Sequence, residues 1–400
     1  MSGVGSTEPP RSGGAGFAGA GAGRAAGLDE VLPRVAEIVA DVRARGDEGL
    51  LDWTEELDGV RPVLRVQPEQ LAGARLDDDV RASVRALADA VAAFSEAQRL
   101  ADTSVEAVPG VISERRWRPL SSVGIYVPGG RAAYPSSLVM TAVPARAAGV
   151  ERVAVVTPRP AEVTLAVARE LGIDEVYAVG GAQAIAALAY GTETIARVDK
   201  IVGPGNRWVT AAKLLVSSAV AIDLPAGPSE VIVIADASAD PAQCAADLLA
   251  QAEHGPDSEA LLLALDDGLA DAVAALVAET DNVKIERVAS LDEALARSDD
   301  YAPEHLELWL EDAEAFAARV RNAGTVFVRT SAVVGDYAAG ATHVLPTGGL
   351  AKGAGGLGLE SFLKPVQFVR ADSLDRAREI ALPLARIEGL PRHAAALEPR

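Results

Sequence analysis

Apolar positions fall at helical spacing over residues 29–101. Leu32, Val35, Ile38 and Val39 share one face, and 77–100 is a long, Ala-rich amphipathic run. The spacing predicts a mainly helical segment. From Val123 the pattern changes. VGIYV, RVAVVT, EVYAV and DKIVG are short β-rich runs about 25 residues apart, and helical patterns over 136–148, 161–171, 182–189 and 206–218 follow them. That alternation argues for parallel βαβ units and a doubly wound sheet. A second set comes next. Its strands are EVIVIAD, ALLLAL, NVKIERV and TVFVR, and its helices are 240–254, 268–279 and 312–320. Two α/β units of similar size point to an internal duplication, although no repeated motif accompanies them. From about residue 347 the chain is Gly-rich and then helical, and it reads as an arm added to the second unit.

The first 27 residues are rich in Gly, Ala, Ser and Pro. Such a tail cannot bury a core and is expected to be disordered. Gly14, Gly16 and Gly19 spell G-x-G-x-x-G there. That fingerprint binds a dinucleotide only between a strand and a helix, and neither flanks it.

Composition narrows the function. Of 400 residues, 49% are hydrophobic, enough for a sizeable core, and the net charge is −20. So acidic a chain is repelled by nucleic acid and by anionic membranes. No apolar run is long enough to span a bilayer, and no apolar signal region opens the chain. The one cysteine, Cys244, excludes an internal disulfide framework. The expectation is a cytoplasmic protein.

All four histidines lie after residue 250, and each has a carboxylate close by in sequence: QAEHGPDS, YAPEHLEL, GDYAAGATHVLPTGG and EGLPRHAA. Histidine binds metals and moves protons near neutral pH. In the first motif Asp240 and Pro241 open a helix, and Gly255-Pro256 closes it. Gln251 and His254, three apart, fall on one face of its last turn, as ligands or as C-terminal caps. Cys244 reads as a core residue. Glu304 and His305 form an acid–base pair, or else a helix-start carboxylate beside a surface histidine. Asp336 reads as a metal ligand or an Asx turn, and His343 as a substrate contact. Glu388 and His393 mark a docked C-terminal arm. Two Gly-rich turns, Val127-Pro-Gly-Gly-Arg131 and Gly203-Pro-Gly-Asn206, follow successive strands of the first set. Each alone is an ordinary tight turn. Together at strand ends of one parallel sheet they favour a nucleotide site.

In this order and at this spacing, IYVPGG, GGAQAIAALAYGT, KIVGPGN, DLPAGPSE, LLAQAEHGPDS, APEHLEL, GDYAAGATHVLPTGG and EGLPRHA resemble the histidinol dehydrogenase family over residues 29–397. The resemblance implies two incomplete Rossmann-like parallel-sheet domains with small helical terminal segments, in a domain-swapped homodimer. The first domain, with the metal and catalytic motifs, would be 28–122 with 231–346. The second, NAD-binding, would be 123–230. Residues 347–400 would be the arm that completes the partner's active site.

The same resemblance implies one Zn²⁺ per subunit on Gln251, His254, Asp336 and His393. It implies NAD contacts from Tyr126, Gln183 and Asn206, and catalysis by Glu304 and His305. The substrate, L-histidinol, would meet Ser229, Gln251, His254, His305, Asp336, His343, Glu388 and His393, with Glu388 reading the ring N–H. The reaction implied is the four-electron oxidation to L-histidine through the aldehyde. Two departures bear on loop geometry. Thr342 stands where Asn often precedes the histidine, and Pro391 stands where a small residue is common. The alternatives are a related metal-dependent NAD dehydrogenase of another small polar alcohol and, more remotely, a zinc hydrolase.

Overall fold

The computed structural model describes residues 28–129 and 133–398. Its contacts gather into two units. The larger holds 32–226, 330–345 and 355–400. The smaller holds 227–329 and 346–354, with the first described residues, 28–31. The G-x-G-x-x-G glycines, and Gly130 and Arg131 of the first Gly-rich turn, lie outside the described residues.

The larger unit begins with the expected helices: α1 (Leu28–Arg45), α2 (Asp47–Asp58), α3 (Pro68–Gly73) and α4 (Asp78–Ala97). An antiparallel hairpin follows, β1 (Thr103–Val108) and β2 (Val111–Pro119). Then come β3 (Ser122–Tyr126), α5 (Pro135–Ala148), β4 (Arg152–Val156), α6 (Glu162–Glu170), β5 (Glu175–Tyr177), α7 (Gly181–Tyr190), β6 (Lys200–Val202), α8 (Arg207–Val216) and β7 (Ala221–Ile222). The five strands β3–β7 form a parallel sheet of order β5-β4-β3-β6-β7. Alternate strand residues face opposite helical layers, so both faces are apolar. Val123, Ile125, Val153 and Val155 pack with α5 and α6 residues such as Leu138 and Val167. On the other face Gly124 makes room for α7, because a Cβ there would stand 2.8 Å from Leu188 Cδ1.

The smaller unit repeats this plan with β8 (Glu230–Ala235), α9 (Pro241–Ala252), β9 (Glu259–Ala264), α10 (Asp267–Leu276), β10 (Val283–Arg287), α11 (Leu291–Tyr301), β11 (His305–Trp309), α12 (Ala313–Ala317) and β12 (Thr325–Val328). Its parallel order is β10-β9-β8-β11-β12, the same path as the first sheet. Along β8, Val231, Val233 and Ala235 face α9 and α10, while Ile232 and Ile234 face the layer with Tyr301 and Phe316. The chain then adds α13 (Ala332–Tyr337), β13 (Leu363–Ala371), α14 (Asp375–Ile387) and α15 (Pro391–Leu397). Pro391 fills the first helical position of α15, where a missing N–H costs nothing.

Three expectations need correction. The helices of 28–122 do not group with 231–346. Leu87 and Val91 of α4 enter the core over β3–β5, and Arg65 bridges Tyr177 beside β5. The amphipathic stripe of α4 is buried by its sequence-adjacent sheet. Second, β1, β2 and β13 form an antiparallel three-stranded sheet, β1-β2-β13; β13 lies in the arm read as Gly-rich and then helical, and β1 and β2 in a stretch with no strand reading. Pro365 within β13 and the charged run of β2 hide it. Third, α11 and β11 precede and contain His305. The buried Glu307 breaks the apolar pattern of that strand. Among the described residues no helix is long and apolar enough to cross a membrane.

Candidate active site

The catalytic candidates stand where α11 gives way to β11. Ala302 ends α11 in the left-handed conformation, with φ +54°, and Pro303 cannot extend the helix. The chain therefore turns, and His305 enters the sheet as the first residue of β11. Parallel pairing sets His305 against Val231 of β8 and so brings Glu304 beside Glu230. Glu304 Oε2 accepts the Glu230 N–H at 3.0 Å and the Ser229 hydroxyl at 2.6 Å. Burial pushes the Glu304 carboxyl up to about 7, against the downward pull of these two donors and of His254. His305 Nδ1 is 3.8 Å from Glu304 Oε2, too far for a hydrogen bond, and its ring tilts against Phe327. The two side chains are therefore not hydrogen-bonded to each other.

Gln251 and His254 lie at the end of α9. Asp240 caps this helix by accepting from Ala242 N–H, and Pro241 follows it, as expected. The helix stops at Ala252, so His254 falls in the turn beyond and is exposed, while Gln251 is buried. Gln251 Oε1 is 3.5 Å from the Ser229 hydroxyl, and its buried Nε2 has no partner among the described residues. Cys244 is core: burial, with Asp247 and Glu307 nearby, pushes its thiol up to about 12, which leaves it inert. Glu230 was not foreseen. It is buried beside Glu304 and accepts the Gly348 N–H at 2.9 Å. A glutamate at a strand start carries no local sign of burial.

In the larger unit, Tyr126 ends β3. Its hydroxyl oxygen accepts the Gly181 N–H at 3.3 Å, and burial raises its pKa above the usual phenol value. Gln183, in the first turn of α7, is buried, and its Oε1 has no partner among the described residues. Tyr126 and Gln183 are thus brought to one place through Gly181. Asn206 caps α8, its Oδ1 accepting from Trp208 and Val209 N–H groups. That leaves its amide Nδ2 outside the cap. Asp336, near the end of α13, lies 3.6 Å from His343 Nδ1, and the Ser137 hydroxyl lies 3.3 Å from His343 Nε2. Ser137 was missed as a partner. Its only sequence sign is the Pro-Ser-Ser opening of α5. Glu388, at the C-cap of α14, and His393, in α15, are exposed.

Among the described residues no group of three or more His, Cys, Asp or Glu could hold a metal ion. The candidate ligands nonetheless suit one. They are nitrogen and oxygen donors without thiolate, and the unpartnered amide of buried Gln251 fits a site completed by a further group. The unpartnered Gln183 Oε1 and the helix N-terminus at Asn206 fit a dinucleotide in the same way.

Comparisons with known proteins place the chain in a family. A family model described as histidinol dehydrogenase matches residues 23–400. The histidinol dehydrogenase of Natronomonas pharaonis is 44% identical, covering 94% of this chain and 95% of its own. That of Methanopyrus kandleri is 46% identical, covering 93% and 94%. The crystal structure of histidinol dehydrogenase from Elizabethkingia anophelis superposes with a TM-score of 0.86 at 34% identity, over 92% of this chain and 91% of that one.

Proposed function

Because the chain belongs to the histidinol dehydrogenase family, we propose that it oxidises L-histidinol to L-histidine through the aldehyde, in histidine biosynthesis. Glu304 carries this reading. It is a buried carboxyl lifted to about 7, held by Ser229 and Glu230 beside His305. A group titrating near the working pH is an effective base.

Gln251, His254, Asp336 and His393 would hold Zn²⁺, with His393 and Glu388 supplied by the partner subunit of a homodimer. Tyr126, Gln183 and Asn206 would hold NAD⁺. When bound, the metal supplies a fixed point for the substrate's imidazole and amine, and NAD⁺ accepts hydride. His305 takes the hydroxyl proton as the alcohol carbon loses hydride. Glu304 then takes a proton from water, which adds to the aldehyde carbon. The hydrate so formed would lose hydride to a second NAD⁺ and a hydroxyl proton to His305, which has released the first proton to solvent, giving the acid. Ser229 keeps one oxygen of Glu304 in place, and His343 lines the substrate site with Asp336 and Ser137 around it. Glu388 would accept the ring N–H that the metal leaves free.

Purified protein should make two NADH per histidinol consumed. Chelation should abolish this, and Zn²⁺ or Mn²⁺ should restore it. Full turnover in metal-free protein would refute the zinc assignment, and absence of NADH would refute the reaction. The shared site has its own test. Mixing inactive His305→Asn and His393→Asn proteins should recover activity once subunits exchange; verified heterodimers without activity would place the arm on its own subunit.

A further inference from the structure

Lys213 and Asp223 form an ion pair inside the larger unit. Nζ lies 2.6 Å from Oδ1, and the two side chains are 4% and 2% exposed. Both also bind the backbone of a single residue. Asp223 Oδ2 accepts the Gly203 N–H at 2.7 Å, and Lys213 Nζ donates to the Gly203 carbonyl at 2.5 Å. Lys213 comes from α8 and Asp223 from the end of β7, so the pair ties two elements to the residue that follows β6. Lys200, close in sequence, donates instead to the Ser361 carbonyl at 2.7 Å.

Position 203 admits only glycine. Its φ is +111°, and a Cβ would stand 2.2 Å from the Tyr126 carbonyl oxygen. Only glycine lets this turn cross the end of β3. Glycine alone, however, leaves the turn many conformations. Two buried charges are a costly way to fill space, since apolar residues of similar volume pack as well or better. An apolar pair cannot fix both the N–H and the C=O of one residue. The ion pair does, three residues before Asn206 opens α8.

We infer that Lys213 and Asp223 are positioning residues for the dinucleotide: they lock Gly203 so that the 203–206 turn and the first N–H groups of α8 meet its phosphates in one geometry. The inference rests on the NAD⁺ reading above. Neither side chain touches the cofactor. Their effect runs through the turn.

The test uses the full-length, zinc-loaded enzyme with Lys213→Met and Asp223→Asn combined. The double change avoids stranding one buried charge, and the amide oxygen introduced by Asp223→Asn can still accept the Gly203 N–H. The KM for NAD⁺ should rise about tenfold or more, while kcat and the KM for histidinol stay within about threefold. Titration of NAD⁺ followed by tryptophan fluorescence, with Trp208 in the first turn of α8 as reporter, should show the same weakening. Asp223→Glu keeps the charge and shifts the carboxylate by one methylene, and should give a smaller rise, roughly threefold. A folded variant whose KM for NAD⁺ stays within about twofold of wild type overturns the inference, as does an equal loss in histidinol KM. If neither variant folds, the pair serves the fold as a whole and the inference falls. Failure of the wild type to reduce NAD⁺ with histidinol refutes the underlying reading instead.

Discussion

The two parallel sheets follow one path, but their candidate residues stand at opposite edges. In each, the first strand is central, the next two lie to one side and the last two to the other. In the larger unit the candidate dinucleotide contacts are at the carboxyl edge. Tyr126 ends β3, Gln183 opens α7 after β5, and Asn206 opens α8 after β6. This is the edge where ligands of open α/β sheets usually sit, at the switch point between β3 and β6. In the smaller unit the candidate residues are at the amino edge. Ser229 and Glu230 open β8, His305 opens β11, and Gln251 closes α9.

Helix polarity gives the difference a chemical sense. A crossover helix runs antiparallel to its strands, so helix N-termini gather at the carboxyl edge and C-termini at the amino edge. The first edge offers partial positive charge and free N–H groups, suited to phosphates. The second offers partial negative charge, suited to a cation. A duplicated topology thus provides two edges of opposite electrostatic character.

Variants at the two edges should therefore fail in different ways. The largest effect belongs to the amino edge. His305→Asn should slow alcohol oxidation, and Glu304→Gln the aldehyde step, each by about 10²–10⁴-fold in kcat with the KM for NAD⁺ unchanged. Half-reactions started from histidinol and from the aldehyde separate the two. Equal losses in both steps for both variants would contradict the division of labour.

At the carboxyl edge, Asn206→Asp keeps an acceptor for the α8 cap but replaces the amide with a charge that opposes phosphate. The melting temperature should hold, and the KM for NAD⁺ should rise about tenfold, roughly 1.4 kcal/mol. An unchanged KM would make Asn206 a cap and nothing more.

A further effect is on stability. Glu304 has a folded pKa of about 7 against an ordinary 4.5. Between these values the folded state keeps a proton that the unfolded chain releases, so stability present below pH 4.5 is lost as pH rises through 7. The full loss is on the order of 3 kcal/mol. Glu304→Gln removes that dependence. The variant should melt higher than wild type at about pH 8 and not at pH 4.5. Parallel curves across the range would show that burial does not shift Glu304.

Much of this was legible in the chain. The spacing of VGIYV, RVAVVT, EVYAV and DKIVG places four strands of the first sheet, and Asp240-Pro241 places the start of α9. These are local signals, because strand period, capping and proline geometry depend on neighbours in sequence. The motif resemblance named the family. What the chain could not show depends on residues far apart. β13 pairs with β2 across more than 240 positions, as in Gln367 opposite Arg115, so no window of sequence contains that sheet. Glu304 reads in the sequence as half of an acid–base pair or as a helix-start carboxylate; its burial against Glu230 and Ser229 comes only from the pairing of β11 with β8. Its pKa follows from the water that packing removes, and the Lys213–Asp223 pair around Gly203 exists only because α8 and β7 converge there. Sequence set the elements and their order; desolvation and long-range pairing, which only the folded chain creates, decided the burial and the raised pKa of Glu304.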